Sequence, residues 1–136
     1  MPPQDPSLPD VDERERGDVI VLADASVEGE DIASLLRARG FVVFDVPLAL
    51  LESRVSTEDP RIVILDIDQP GAIEAIRRVR AASPAHVFLL GDPLRAADLS
   101  DLSLSESVFE RPVDIQRLVD RALTVAVPSV AGYAAR

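Results

Sequence analysis

Five short apolar runs recur along this chain, most of them dense in β-branched residues. They are Val19-Ile20-Val21-Leu22-Ala23, Phe41-Val42-Val43-Phe44, Arg61-Ile62-Val63-Ile64-Leu65, His86-Val87-Phe88-Leu89-Leu90 and Ser107-Val108-Phe109-Glu110. A strand with one wet face alternates polar and apolar residues. A run without that alternation belongs to a strand covered on both faces, as in a parallel sheet. Parallel strands need crossover connections, and the intervening segments carry helical spacing. Ser26 is placed to cap a helix over 27–39, where Ile32, Leu35 and Leu36 share one face and Gly40 stops it. A weaker helix is expected from Leu48 to about Val55, with Pro60 ending the loop. Ala72 to Ala82 places Ile73, Ile76 and Val79 or Arg80 at helical spacing. Arg77, Arg78 and Arg80 line its wet side, and Pro84 breaks it. Asp114 caps a last helix over 115–126 with Ile115, Leu118, Val119 and Ala122 inward, closed by Pro128. Residues 94–106 stay open between a helical turn or two and a Ser-rich loop.

This order predicts an α/β fold: a doubly wound five-stranded parallel sheet with helices on both faces, over 18–126. Residues 1–17 hold four prolines among mixed charges and read as a disordered acidic tail. Residues 127–136 read as a C-terminal tail or the start of a linker.

Composition narrows the function. The chain has 136 residues, enough for one domain, and a net charge of -10. All 14 bases are arginine. No basic patch is visible for phosphate contact, so nucleic-acid binding is not expected. There is no Cys and a single His, His86, which removes thiolate chemistry and most of the case for a His metal cluster or a Ser-His-Asp triad. No apolar run approaches the roughly 18 residues of a membrane span, and no signal peptide opens the chain. A cytoplasmic location is the expectation. The absence of Lys, Asn and Cys beside abundant Ala, Arg, Asp and Pro suggests a GC-rich bacterial source.

In such sheets ligands sit at the carboxyl ends of the strands, at the switch point. The first strand ends in Ala23-Asp24, the third in Asp66 with Asp68 two residues on, the fourth in Gly91-Asp92 and the fifth in Arg111-Pro112. Asp24 and Asp66 would project into one crevice. Two carboxylates there either bind a hard cation such as Mg²⁺ or repel each other; the alternative is a pair of solvated strand-end acids. Asp68 and Asp92 read most simply as turn formers. Arg111 has a second reading as a counter-charge to Asp66. His86 is read as structural or exposed, at the edge of the sheet and far from the crevice. The serines of 100–107 fit a flexible loop better than a kinase target. No glycine pattern follows the first strand, so a phosphate-cradling cofactor loop, and with it an enzyme, is not expected.

The strings VIVLAD, IVILDIDQPG and FERPVD, at their intervals over about 18–126, resemble the response-regulator receiver (CheY-like) family. The resemblance implies a flavodoxin-like receiver fold with Asp66 at the phosphoacceptor position and Asp24 beside it as a metal ligand for Mg²⁺. It implies a cis peptide before Pro112. It also implies a site altered at its switch positions. Ala23 stands where the family carries a second acid, Gly91 where it carries a hydroxyl, Val108 where it carries an aromatic and Arg111 where it carries a Lys. Arg and Lys are not interchangeable at a phosphoryl group, and Gly offers no hydroxyl. The expectation is a degenerate pseudo-receiver without a cofactor of its own. It would recognise a protein partner or another copy of itself through leucine-rich surface around Leu94, Leu99, Leu102, Leu104, Ile115 and Leu118, residues that core packing explains equally well. The alternative is a working two-component receiver phosphorylated at Asp66.

Overall fold

The structure is a computed structural model that describes residues 18–97 and 108–126. Five strands form one parallel sheet: β1 (Val19–Ala23), β2 (Val42–Asp45), β3 (Ile62–Asp66), β4 (His86–Leu90) and β5 (Val108–Phe109). Their order across the sheet is β2-β1-β3-β4-β5. The connecting helices are α1 (Val27–Ala38), α2 (Leu51–Glu58, entered through a 3₁₀ turn at Leu48–Leu50), α3 (Ala72–Ala82), α4 (Pro93–Ala96) and α5 (Ile115–Val125).

The unbroken apolar runs are explained by two cores. Val21, Ala23, Val63, Leu65, Val87 and Leu89 face one layer, against Leu51 and Val55 of α2 and Ile76 and Val79 of α3. Ile20, Leu22, Ile62, Ile64, Phe88 and Leu90 face the other, against Ile32 and Leu36 of α1 and Leu118, Val119 and Ala122 of α5. Successive residues point to opposite faces, and both faces are dry, so every position must be apolar. Phe88 and Phe109 meet in the second layer with ring centroids 5.4 Å apart.

Local chemistry sets the element ends. Ser26 Oγ accepts from the Gly29 amide and Asp114 Oδ1 from the Arg117 amide, so both expected N-caps are formed. The helix expected at 48–55 instead runs to Glu58 and closes on Asp59 at φ 49°. Pro60 follows directly, but no glycine marks the left-handed position itself. The strand expected at 41–44 runs Val42–Asp45, because Phe41 is still bonded back to Leu36 of α1. Leu35, expected on the inner face of α1, is exposed instead.

Two expectations are corrected by this packing. Leu118 is fully buried in the second core, which agrees with its inward position on the last helix and removes it from the candidate interface. His86 is exposed, as expected, but β4 is an interior strand; His86 lies at the amino-terminal rim of the sheet, paired with Ile62 before β5 begins. Among the described residues no helix is long and apolar enough to cross a membrane.

Candidate functional site at the carboxyl ends of the strands

From β1 the chain moves to β2 on one side and then to β3 on the other, so the order reverses between β1 and β3. Asp24 follows β1 and Asp66 ends β3, and both border the crevice opened there.

The turn after β1 is tight. Asp24 Oδ1 accepts from the Ser26 amide at 3.0 Å. Gly29 packs so closely on this turn that a β-carbon there would lie 2.4 Å from the Asp24 carbonyl oxygen. Asp24 is consequently buried, with 3% of its surface exposed, which overturns the reading of it as a solvated acid. Asp66 is part exposed, and its Oδ1 accepts from the Asp68 amide at 2.9 Å in an Asx turn. Gln69 reaches across from the same loop. Its Nε2 donates to the Ala23 carbonyl at 2.9 Å and the Asp66 carbonyl at 3.1 Å, joining the ends of β1 and β3.

Arg111 enters this crevice from the segment after β5, where the Arg111–Pro112 peptide is cis. Nη2 donates to Asp24 Oδ2 at 3.0 Å and lies 3.5 Å from Asp66 Oδ2. Nη1 pairs with Glu28 Oε1 from the first turn of α1. The other Glu28 oxygen accepts from the Val113 amide at 2.6 Å. Partial burial pulls the guanidinium's pKa down. The hydrogen bond and charge of Asp24, the hydrogen bond of Glu28 and the charge of Asp66 outweigh it, so Arg111 is held above its ordinary value. The expected Arg111–Asp66 pairing is thus present as the longest of three contacts, with Asp24 the closer of the two aspartates.

In this arrangement Asp24 and Asp66, the residues that would hold a magnesium ion, are already engaged. Both Asp24 oxygens and one Asp66 oxygen accept from protein donors, and the second Asp66 oxygen faces Arg111. Ala23 contributes no side-chain ligand. Among the described residues no three His, Asp or Glu side chains are grouped to hold a metal.

Beside this cluster lies an open depression of about 380 Å³, lined by Asp68, Gly91, Asp92, Glu110 and Arg111. Gly91 has φ +138°, a conformation that L side chains rarely adopt. Asp68 is exposed, as expected, yet it also pairs with Arg95. Asp92 caps α4 by accepting from the Leu94 amide at 2.9 Å. Val108 is half-buried against the first core. Of the proposed interface leucines, Leu94 is 80% exposed and Leu118 is core; Leu99, Leu102 and Leu104 lie outside the described residues. Ile115 is half-buried against the second core. The serines of 100–107 lie outside the described residues as well.

Glu28 is the site residue the sequence reading missed. It sits in the first turn of α1, beyond the strand-end positions, and its partner Arg111 is 83 residues away. A faint signal exists: an acid in the first turn of a helix whose N-terminus opens on the crevice.

No family model and no curated protein matches this sequence. Solved structures do match. The chain is similar to the receiver domain of the TMAO respiratory system response regulator TorR, with a TM-score of 0.67 and 20% identity over 78% of this chain and 93% of that one. It is also similar to a fusion protein carrying residues 181–211 of the yeast Spc42 trimeric coiled coil, with a TM-score of 0.63 and 16% identity over 78% of this chain and 77% of that one. At these identities the likeness establishes the fold. The chain has a flavodoxin-like receiver fold.

Proposed function

We propose that this domain is a pseudo-receiver: a receiver scaffold whose phosphorylation site is closed by its own arginine, and which serves as a protein-recognition or self-association module in bacterial cytoplasmic signalling or cell organisation. The observation that carries the reading is Arg111, whose one guanidinium meets Asp24, Glu28 and Asp66. In phosphoryl transfer to an aspartate, metal ions neutralise charge that develops on the phosphoryl oxygens, and the nucleophile must be free to attack. Here the cation is supplied from within. The carboxylates are engaged, and the side chains that would carry the signal away are a glycine at 91 and a valine at 108. The net charge of -10 argues against a nucleic-acid partner.

A second reading, phosphorylation at Asp66, draws on one detail. Asp66 Oδ2 is the most loosely held of the carboxylate oxygens, with only Arg111 beside it at 3.5 Å.

The test is a ¹H–¹⁵N titration of the whole chain with Mg²⁺ and then beryllofluoride, a phosphoryl mimic. The pseudo-receiver reading expects no saturable shifts at Asp24, Asp66 or Arg111 at millimolar Mg²⁺, and none on adding the mimic. Saturable shifts at Asp66 that spread to Gly91 and Val108 overturn it and establish the phosphoacceptor.

A further inference from the structure

Three features outside the Arg111 cluster converge on Asp68. Its Oδ1 lies 3.3 Å from Nε of Arg95 on α4. Its carboxylate lies over Gly91, where an added β-carbon would come 2.7 Å from Oδ2 and 3.0 Å from Cγ. Gly91 itself is in the positive-φ conformation that suits glycine. The space at the end of β4 into which a side chain would project is therefore filled by a carboxylate arriving from the loop after β3. That carboxylate is in turn tied to the first turn beyond β4.

The element at the receiving end is small. α4 has four residues, a single turn, and a single turn has no cooperative reserve of its own. Asp92 holds its leading amide, and Arg95 holds its flank to Asp68. The Asp68 and Arg95 side chains are 39% and 58% exposed, so the pair is weak by the standard of buried ion pairs. A marginal one-turn helix is the setting in which a weak contact still shifts a population.

We propose that Asp68 is a positioning residue. It acts as a built-in anion that pairs with Arg95 across Gly91, docks α4 against the loop after β3, and so sets the surface carrying Leu94 without phosphorylation. The last clause rests on the pseudo-receiver reading; the coupling between Asp68 and α4 does not.

The experiment compares ¹H–¹⁵N spectra of the full chain with those of Asp68→Asn, Arg95→Gln and the double variant, at low and high salt. Both side chains are exposed, so the variants fold, and unchanged core methyl signals check this. Each single variant is expected to move the amides of Leu94, Ala96 and Ala97 along the same direction. The shift corresponds to a two- to fivefold loss of docked population, about what an exposed ion pair carries. High salt moves the wild-type amides along that same line and leaves the variants unmoved. The double variant moves no further than either single one. Asp68→Asn shifts confined to residues 66–70, or single-variant shifts that add in the double variant, overturn the proposal. A beryllofluoride response in the wild type overturns the pseudo-receiver reading and leaves the coupling to be judged on the variants.

Discussion

A carboxylate as deeply buried as Asp24 requires an answering charge inside the protein, because desolvating an unpaired ion costs several kcal/mol. Arg111 and the Ser26 amide supply the answer. Arg111→Ala is therefore expected to destabilise the fold by about 2 kcal/mol, at the lower end for such pairs because the guanidinium is partly exposed. Adding Asp24→Asn to that variant is expected to restore part of the loss. Urea unfolding of the two single variants and the double one measures the coupling, and additive effects would remove the pair from the account. At Gly29 two effects compete. Alanine is the better helix former by about 1 kcal/mol. Its β-carbon, however, would meet the Asp24 carbonyl at 2.4 Å, too close to be accommodated without moving backbone. Overpacking of this kind costs about 1–3 kcal/mol, so Gly29→Ala is expected to lower the melting temperature despite its propensity. Arg111 as a counter-charge was legible in the sequence, because a strand-end acid without a metal needs one. Glu28 was not, since nothing local says that the first turn of α1 will face the segment after β5.

At the scale of elements, short apolar runs identified all five strands, and the periodicity of three of the helices was strong enough to place them. The misplacements have local causes. α2 ends on an aspartate in the left-handed region, a conformation that only Gly or Asn would have announced. The leucines around α4 and α5 carried two meanings, and only packing separates them. Leu118 sits at 0% exposure in the second core, whereas Leu94 stands 80% exposed on α4. Leu118→Ala is expected to cost about 3 kcal/mol by cavity formation, read by denaturant unfolding. Leu94→Ser is expected to leave stability within about 0.5 kcal/mol. Loss of self-association or partner binding in Leu94→Ser, with Tm unchanged, would place α4 in an interface; an unaltered complex would take Leu94 out of it. Asp114→Ala, which removes the N-cap of α5, is expected to cost about 1 kcal/mol in the same assay.

At the scale of the whole molecule, charge from three separate chain segments meets at the carboxyl ends of the strands: Asp24 with Glu28, Asp66, and Arg111. This site is closed by a side chain rather than by solvent. Arg111 is held above its ordinary value, so from neutral pH upward its pairing with ionised Asp24, Glu28 and Asp66 is fully present, and it is lost only as pH climbs through the raised value. The stability difference between wild type and Arg111→Ala is therefore expected to hold constant from about pH 7 to pH 10, as chemical denaturation across that window would show.

The guanidinium in the crevice is a counter-ion on a tether. A dissolved cation arrives at the concentration the medium sets; one attached to the same backbone acts at an effective concentration that linker geometry sets, of millimolar order for a flexible tether and higher for one already folded into place. It cannot be diluted, chelated or outcompeted by ordinary changes in ionic composition. On the pseudo-receiver reading, thermal melts with millimolar Mg²⁺ and with a chelator are expected to superimpose. The crevice then keeps one state of charge whatever the divalent content of its surroundings, a constancy suited to a part that others recognise by shape.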